Sequence, residues 1–131
     1  MIVDASALVA VAAAEPTGSA LQAVLRSERS LAMSAGTHLE TFIVADRHPN
    51  PNVARNVEAL IRSSQIHILP FTATQAQIAR AGYRDFGKGS GHPAGLNFGD
   101  CFSYALAIDS GEPLLFVGND FTHTDVQVAR Y

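Results

Sequence analysis

Several things are scarce in this 131-residue sequence, and each scarcity excludes a class of protein. There is a single cysteine, Cys101, so neither an internal disulfide nor an all-cysteine zinc site can form. That usage fits a reduced, cytoplasmic setting. Charged residues make up only 16% of the chain, the one lysine is Lys88, and the formal net charge is −3. A nucleic-acid partner is therefore not announced by any basic excess. If RNA binds, metal ions and a few local arginines must hold it. Long apolar runs are also missing. The longest, Ala7 to Ala14, has eight residues, against the ~20 needed to span a bilayer. No membrane association is expected, and no secretory leader, because Asp4 interrupts the N-terminus and no positive region precedes the apolar run.

What is present is enough apolar material, 47%, for one well-packed domain over residues 1–131, without repeats or low-complexity tracts. Met1-Ile2-Val3 reads as a strand ending at Asp4, and Ala5 to Ala14 as a helix. Pro16 suits the first turn of a second helix running to about Ser27. Leu31 to Met33 is a weak strand, after which Ser34 caps a helix to about Arg47, stopped by Pro49-Asn50-Pro51. A helix follows over Val53 to Arg62, then a strand over Ile66 to Leu69 and a helix from Thr72 to about Arg84. Phe86 to Leu96 holds four glycines and a proline and reads as a loop. The next helix runs from near Phe98 to Asp109, Leu114 to Val117 is a strand, and Val126 to Ala129 a short last one. This alternation predicts an α/β fold, a central parallel sheet of about four to five strands with helices on both faces.

The acids are placed suggestively on that frame. Asp4 falls just past the first strand and Asp120 just past the penultimate one. Asp100 lies in the first turn of a helix, and Glu40 two turns into another. Ligands of open parallel sheets bind at the carboxyl ends of the strands, so these four of the twelve acidic residues converge on one rim. Each has a bland alternative. Asp4 suits a helix N-cap, Asp100 a first turn favoured by the helix dipole, Glu40 a solvated helix position and Asp120 a turn. Their joint placement argues for chemistry. Hard cations such as Mg²⁺ and Mn²⁺ prefer carboxylate and water oxygens, and can orient a water and neutralise charge developing on a phosphate. Ser6 and Asn119 are placed to hold outer-shell waters.

The segments carrying these acids resemble a known family. Met1-Ile2-Val3-Asp4-Ala5-Ser6-Ala7 looks like the start of a PIN-domain nuclease, and Ser34-x-x-Thr37-x-x-Glu40 resembles its second acidic motif. Leu96 to Ala107, with Gly99-Asp100-Cys101, is similar to the third motif, and Leu114 to Phe121 to the fourth. Within that superfamily the chain resembles the VapC-type toxins of type II toxin–antitoxin pairs. The resemblance implies a Mg²⁺-dependent (or Mn²⁺-dependent) endoribonuclease in which Asp4, Glu40, Asp100 and Asp120 are the catalytic and metal-holding acids. It further implies an RNA substrate, a small VapB-like antitoxin across the acidic pocket, and a homodimer. The fourth acidic position varies among such sequences, so Asn119 or Asp125 is a candidate to share the role of Asp120.

Other residues carry less. His92 and Lys88 in the glycine-rich loop, and the Arg80/Arg84 pair, could meet phosphate but read more simply as solvated. Asp100 and Tyr104 form an i, i+4 pair, while Cys101 points to another helix face and into the core. The remaining histidines show no metal-ligand spacing. The apolar helices over Ala7 to Leu25 and Val53 to Ile61 could supply a self-complementary face. A haloacid-dehalogenase-like phosphatase would want an aspartate where Ser6 stands, and a receiver domain would want paired acids near Asp4 and a late lysine. Neither pattern is present. The remaining alternatives are an RNA-processing nuclease of the same fold without a toxin role, and a non-catalytic binding module.

Overall fold

The computed structural model describes residues 1–131. Its elements run β1 (Ile2–Val3), α1 (Ala5–Ala12), α2 (Gly18–Ser27), β2 (Ala32–Ser34), α3 (Ala35–Asp46), α4 (Asn52–Ser63), β3 (His67–Leu69), α5 (Ala73–Phe86), α6 (Asp100–Ser110) and β4 (Leu114–Leu115). The strands form one four-stranded sheet in the order β3-β2-β1-β4, parallel throughout. None of the helices is long and apolar enough to cross a membrane.

The period-2 alternation of strand side chains divides the core between the two faces of the sheet. Val3, Met33 and Leu115 point to one face, where Ala7, Leu8, Leu21 and Leu25 of α1 and α2 cover them. Their neighbours Ile2 and Leu114 point to the other, against Tyr104, Leu106 and Ala107 of α6. A third cluster joins Ala12 and Ala45 to Val53 and Val57 of α4. At eight residues α1 is shorter than the ~12–15 at which an isolated helix becomes even marginally stable. Burial of Ala5, Ala7, Leu8, Ala10 and Ala12 holds it instead.

Several sequence expectations shift. Helix α1 stops at Ala12 rather than Ala14, because Ala14 takes a left-handed φ of 55° and turns the chain. Helix α6 starts at Asp100, not Phe98, since Asn97 and Asp100 close the turn before it. Strand β4 ends at Leu115, where the chain leaves the ladder. Val126 to Ala129 forms no strand; Val128 makes one isolated bridge to Leu114. Most of the helical surface proposed as a self-complementary face is taken up by the core, with Val9, Val11, Val24, Leu60 and Ile61 left partly exposed. Ala7, Leu8, Leu21, Leu25, Val53 and Val57 are all consumed by the core. Exposed apolar side chains lie elsewhere, among them Leu39, Ile43 and Val44 on α3, Ile68 and Leu69 on β3, and Phe98 in the loop before α6.

Candidate active site

Strands this short put their ends, rather than their middles, at the centre of the molecule. Strand β1 ends at Asp4, whose backbone N–H donates to the Leu115 carbonyl at 2.9 Å, fixing it beside the end of β4. The Asp4 side chain caps α1 by accepting from the Ser6 N–H at 3.0 Å. It does more than cap. The Ser6 hydroxyl donates to the same oxygen at 2.7 Å, and the Ser103 hydroxyl of α6 donates to the other at 2.6 Å. Asp4 is thus both the helix cap foreseen as its bland reading and a residue turned toward a shared site.

Behind Asp4 lies a chain of hydroxyls. Ser103 spends its proton on a carboxylate, which only accepts, so Thr37 must donate to Ser103 across their 2.9 Å contact. Thr37 and Ser103 are both completely buried. Ser6 donates to Asp4 and accepts from the Val117 N–H at 3.0 Å.

Asp100 opens α6. It accepts from the Asn97 N–H at 2.8 Å while its own N–H donates to the Asn97 side-chain carbonyl at 2.9 Å. This reciprocal pair fixes the acid with little freedom. Glu40 reaches in from α3 and is half-buried, whereas Asp120 is exposed in the bend after β4. Gly118, at a φ of 104°, makes that bend possible.

All four acids line one cleft of about 330 Å³, together with Ser6, Asn97 and Val117. Glu15 lies there too, a fifth acid that sequence reasoning passed over. No lysine, arginine or histidine lines the cleft. The electrostatic consequence is visible on two groups. Asp100 is pushed from its ordinary 3.8 up to about 7, mainly by burial, with the Asn97 N–H opposing and Asp4, Asp120 and Glu40 adding repulsion. Glu40 is raised as well, by burial first and then by Asp4. A cation in the cleft would relieve both. The donor set of carboxylates and small oxygen-bearing side chains is the kind a hard divalent ion selects. No three of the acids are gathered into a closed metal cage. That is compatible with Mg²⁺, which keeps much of its water and needs only one or two carboxylates.

Other candidates fall outside the cleft. Asp125 accepts from the Tyr104 hydroxyl at 2.8 Å. Tyr104 thereby turns away from Asp100, and the expected i, i+4 pair does not form. His92 stacks edge-on against Phe86, with centroids 5.0 Å apart, and accepts from the Ala94 N–H, so it organises its loop. Arg84 pairs with Asp85 on the surface, Arg80 edges an apolar groove, and Asn119 is exposed beyond the cleft lining. Cys101 is buried and its thiol is pushed up to about 11, consistent with packing rather than reactivity.

Comparison with known proteins bears directly on this arrangement. The family model of the PIN domain matches residues 1–127. A VapC ribonuclease of Mycobacterium bovis is 50% identical over 129 residues, covering 98% of this chain and 97% of its own. The chain is a PIN-domain protein of the VapC family. Ribonuclease VapC42 of Mycobacterium tuberculosis is 45% identical over 129 residues, covering 98% of both chains. Among solved structures, the fold matches VapC20 of Mycobacterium tuberculosis, a sarcin–ricin-loop-cleaving toxin, with a TM-score of 0.79 at 18% identity over 99% of this chain and 98% of that one. It also matches a toxin–antitoxin complex from Klebsiella pneumoniae, with a TM-score of 0.71 at 19% identity over 99% and 97% of the two chains. As a VapC-family domain the chain has the single α/β layer arrangement expected from its sequence, with helices on both faces of a parallel sheet.

Proposed function

We propose that this VapC-family protein is a Mg²⁺-dependent or Mn²⁺-dependent endoribonuclease and the toxin of a toxin–antitoxin pair. The observation that carries the reading is the convergence of Asp4, Glu40, Asp100 and Asp120 on one cleft without a cationic side chain. Relatives named as VapC ribonucleases support it. Asp4 and Asp100 would hold the metal, with Glu40 and Asp120 completing its surroundings. When bound, the ion would polarise the scissile phosphate and lower the pKa of a water for attack. The chain's own contribution is positioning. Ser6 and Ser103 turn the two Asp4 oxygens, Asn97 turns Asp100, and the buried flank of α6 excludes solvent from behind.

The same uncompensated charge suits an antitoxin that enters the cleft with an arginine, whose guanidinium can bridge two carboxylates. For a homodimer, the exposed Leu39, Ile43 and Val44 of α3 offer one apolar surface. The activity is tested with homogeneous protein and RNA in Mg²⁺ or Mn²⁺, with excess EDTA and with Asp4→Asn and Asp100→Asn. Cleavage should stop in EDTA and fall in each variant by about a thousandfold, equivalent to roughly 4 kcal/mol of transition-state stabilisation. Melting temperatures should stay near wild type, because Asn caps helices almost as well as Asp. Full cleavage in chelator, or by both variants, would overturn the reading.

A further inference from the structure

Gly99 stands at the N-cap of α6, with φ −63° and ψ −41°. Those are ordinary right-handed helical angles, open to every residue, so the backbone gives no reason for glycine here. Alanine would adopt those angles without strain and would reduce the conformational entropy of the unfolded chain. Space supplies the reason that backbone does not. A Cβ built on Gly99 would fall inside the Glu40 carboxylate, and its three nearest neighbours are all atoms of that one group. The end of the Glu40 side chain therefore rests directly over the Gly99 Cα, one residue before Asp100.

We propose that Gly99 is a positioning residue: its bare Cα is the seat that lets the Glu40 carboxylate cross from α3 and face Asp4 and Asp100 over the cleft. Glu40 has no equivalent of the hydrogen bonds that orient Asp4 and Asp100. Its place is defined sterically, by what is absent beneath it. An added methyl group meets the far end of a flexible side chain, so the fold survives and the carboxylate swings out. This inference rests on the metal-dependent reading of the cleft, and sharpens it by adding a residue that neither binds metal nor touches substrate.

The test is a cycle of four full-length proteins: wild type, Gly99→Ala, Glu40→Ala and the double variant. Two quantities are read, the rate of RNA cleavage and the Mg²⁺ or Mn²⁺ concentration giving half of the metal-induced rise in melting temperature. Gly99→Ala should raise that concentration about tenfold, the scale of losing a group that orients a metal site. Its cleavage should fall in parallel, while its melting temperature in chelator stays at or above that of wild type. In the Glu40→Ala background, the same substitution should leave the metal titration unchanged and raise the chelator melting temperature. A wild-type titration for Gly99→Ala would overturn the proposal. So would an equal loss in both backgrounds, which would place the effect on Asp100 and its turn. If wild type binds metal but cleaves no RNA, the nuclease reading fails while the metal titrations still decide the role of Gly99.

Discussion

The two pairs of acids in the cleft are built differently. Asp4 and Asp100 grow out of fixed backbone, at the end of a central strand and the start of a buried helix, and are oriented by Ser6, Ser103 and Asn97. Glu40 and Asp120 come from a helix and a bend further out, one seated over Gly99 and the other exposed to solvent. The first pair has the preorganisation that metal binding rewards. The second is held by no hydrogen bond: Glu40 is placed by contact over Gly99, and Asp120 stands in water. A cleft with two anchored and two unanchored carboxylates can grip a cation without enclosing it, and leaves coordination positions for water and phosphate.

The strongest way to break this contrast is to release an anchored acid without touching its charge. Ser103→Ala removes the donor to one Asp4 oxygen and leaves the Thr37 hydroxyl, fully buried, without its partner. Loss of such an orienting group should weaken metal affinity and cleavage by about 10–100-fold. Stability should fall by roughly 1–3 kcal/mol, from the stranded hydroxyl. Adding Thr37→Val should recover much of that stability without recovering metal affinity. If the double variant regains both, the hydroxyl chain matters only for folding, and Asp4 needs no orienting.

Which of these features could be read in the sequence follows from how local each one is. The strand–acid–helix unit Ile2-Val3-Asp4-Ala5 is written in neighbouring residues, as are the Ser34 and Thr72 caps, which accept from Gly36 and Gln75. The convergence of four acids followed from one general rule about strand ends. The Ser103–Asp4 contact joins residues 99 positions apart, and nothing at Ser103 itself distinguishes it from any helical serine. Glu15 was hidden for a similar reason. It sits beside a proline break, and only the fold of α1 against α3 turns it toward the cleft. Tyr104 looked like a partner of Asp100 because helical spacing permits it. Packing against the second core cluster sends its phenol to Asp125 instead.

Protonation gives a sharper comparison of the cleft with and without an added cation. Asp100 titrates at about 7 in the folded chain against an ordinary 3.8, so between those values the folded state holds a proton that the unfolded state has lost. Its contribution to stability is therefore present at low pH and is lost as pH rises through about 7. Glu40 acts in the same direction. In chelator, the melting temperature should drift downward between about pH 5 and pH 8. Mg²⁺ should raise it more at pH 8 than at pH 5, where metal must compete with the proton. Asp100→Asn should flatten the slope. Melting temperatures that rise with pH in the metal-free wild type would contradict the burial and mutual repulsion of these carboxylates.

The smallest expected effect concerns the fourth acid, for which Asn119, Asp120 and Asp125 compete within seven residues of chain. Only Asp120 lines the cleft, and it is among the charges that raise Asp100. Its exposure to water weakens each interaction it makes, so Asp120→Asn should lower cleavage by roughly tenfold or less, well below the loss at Asp4 or Asp100. Asp125→Asn removes the charged acceptor of the Tyr104 hydroxyl and should cost about 1 kcal/mol of stability with an unchanged cleavage rate. Asn119→Ala should alter neither. Comparing the three rates at saturating Mg²⁺ and again at low Mg²⁺ separates a ligand from a bystander, because loss of a ligand is partly overcome by excess metal. Should Asp125→Asn show the metal-dependent loss and Asp120→Asn none, the bend after β4 must rearrange in the active protein, and the fourth carboxylate belongs to Asp125.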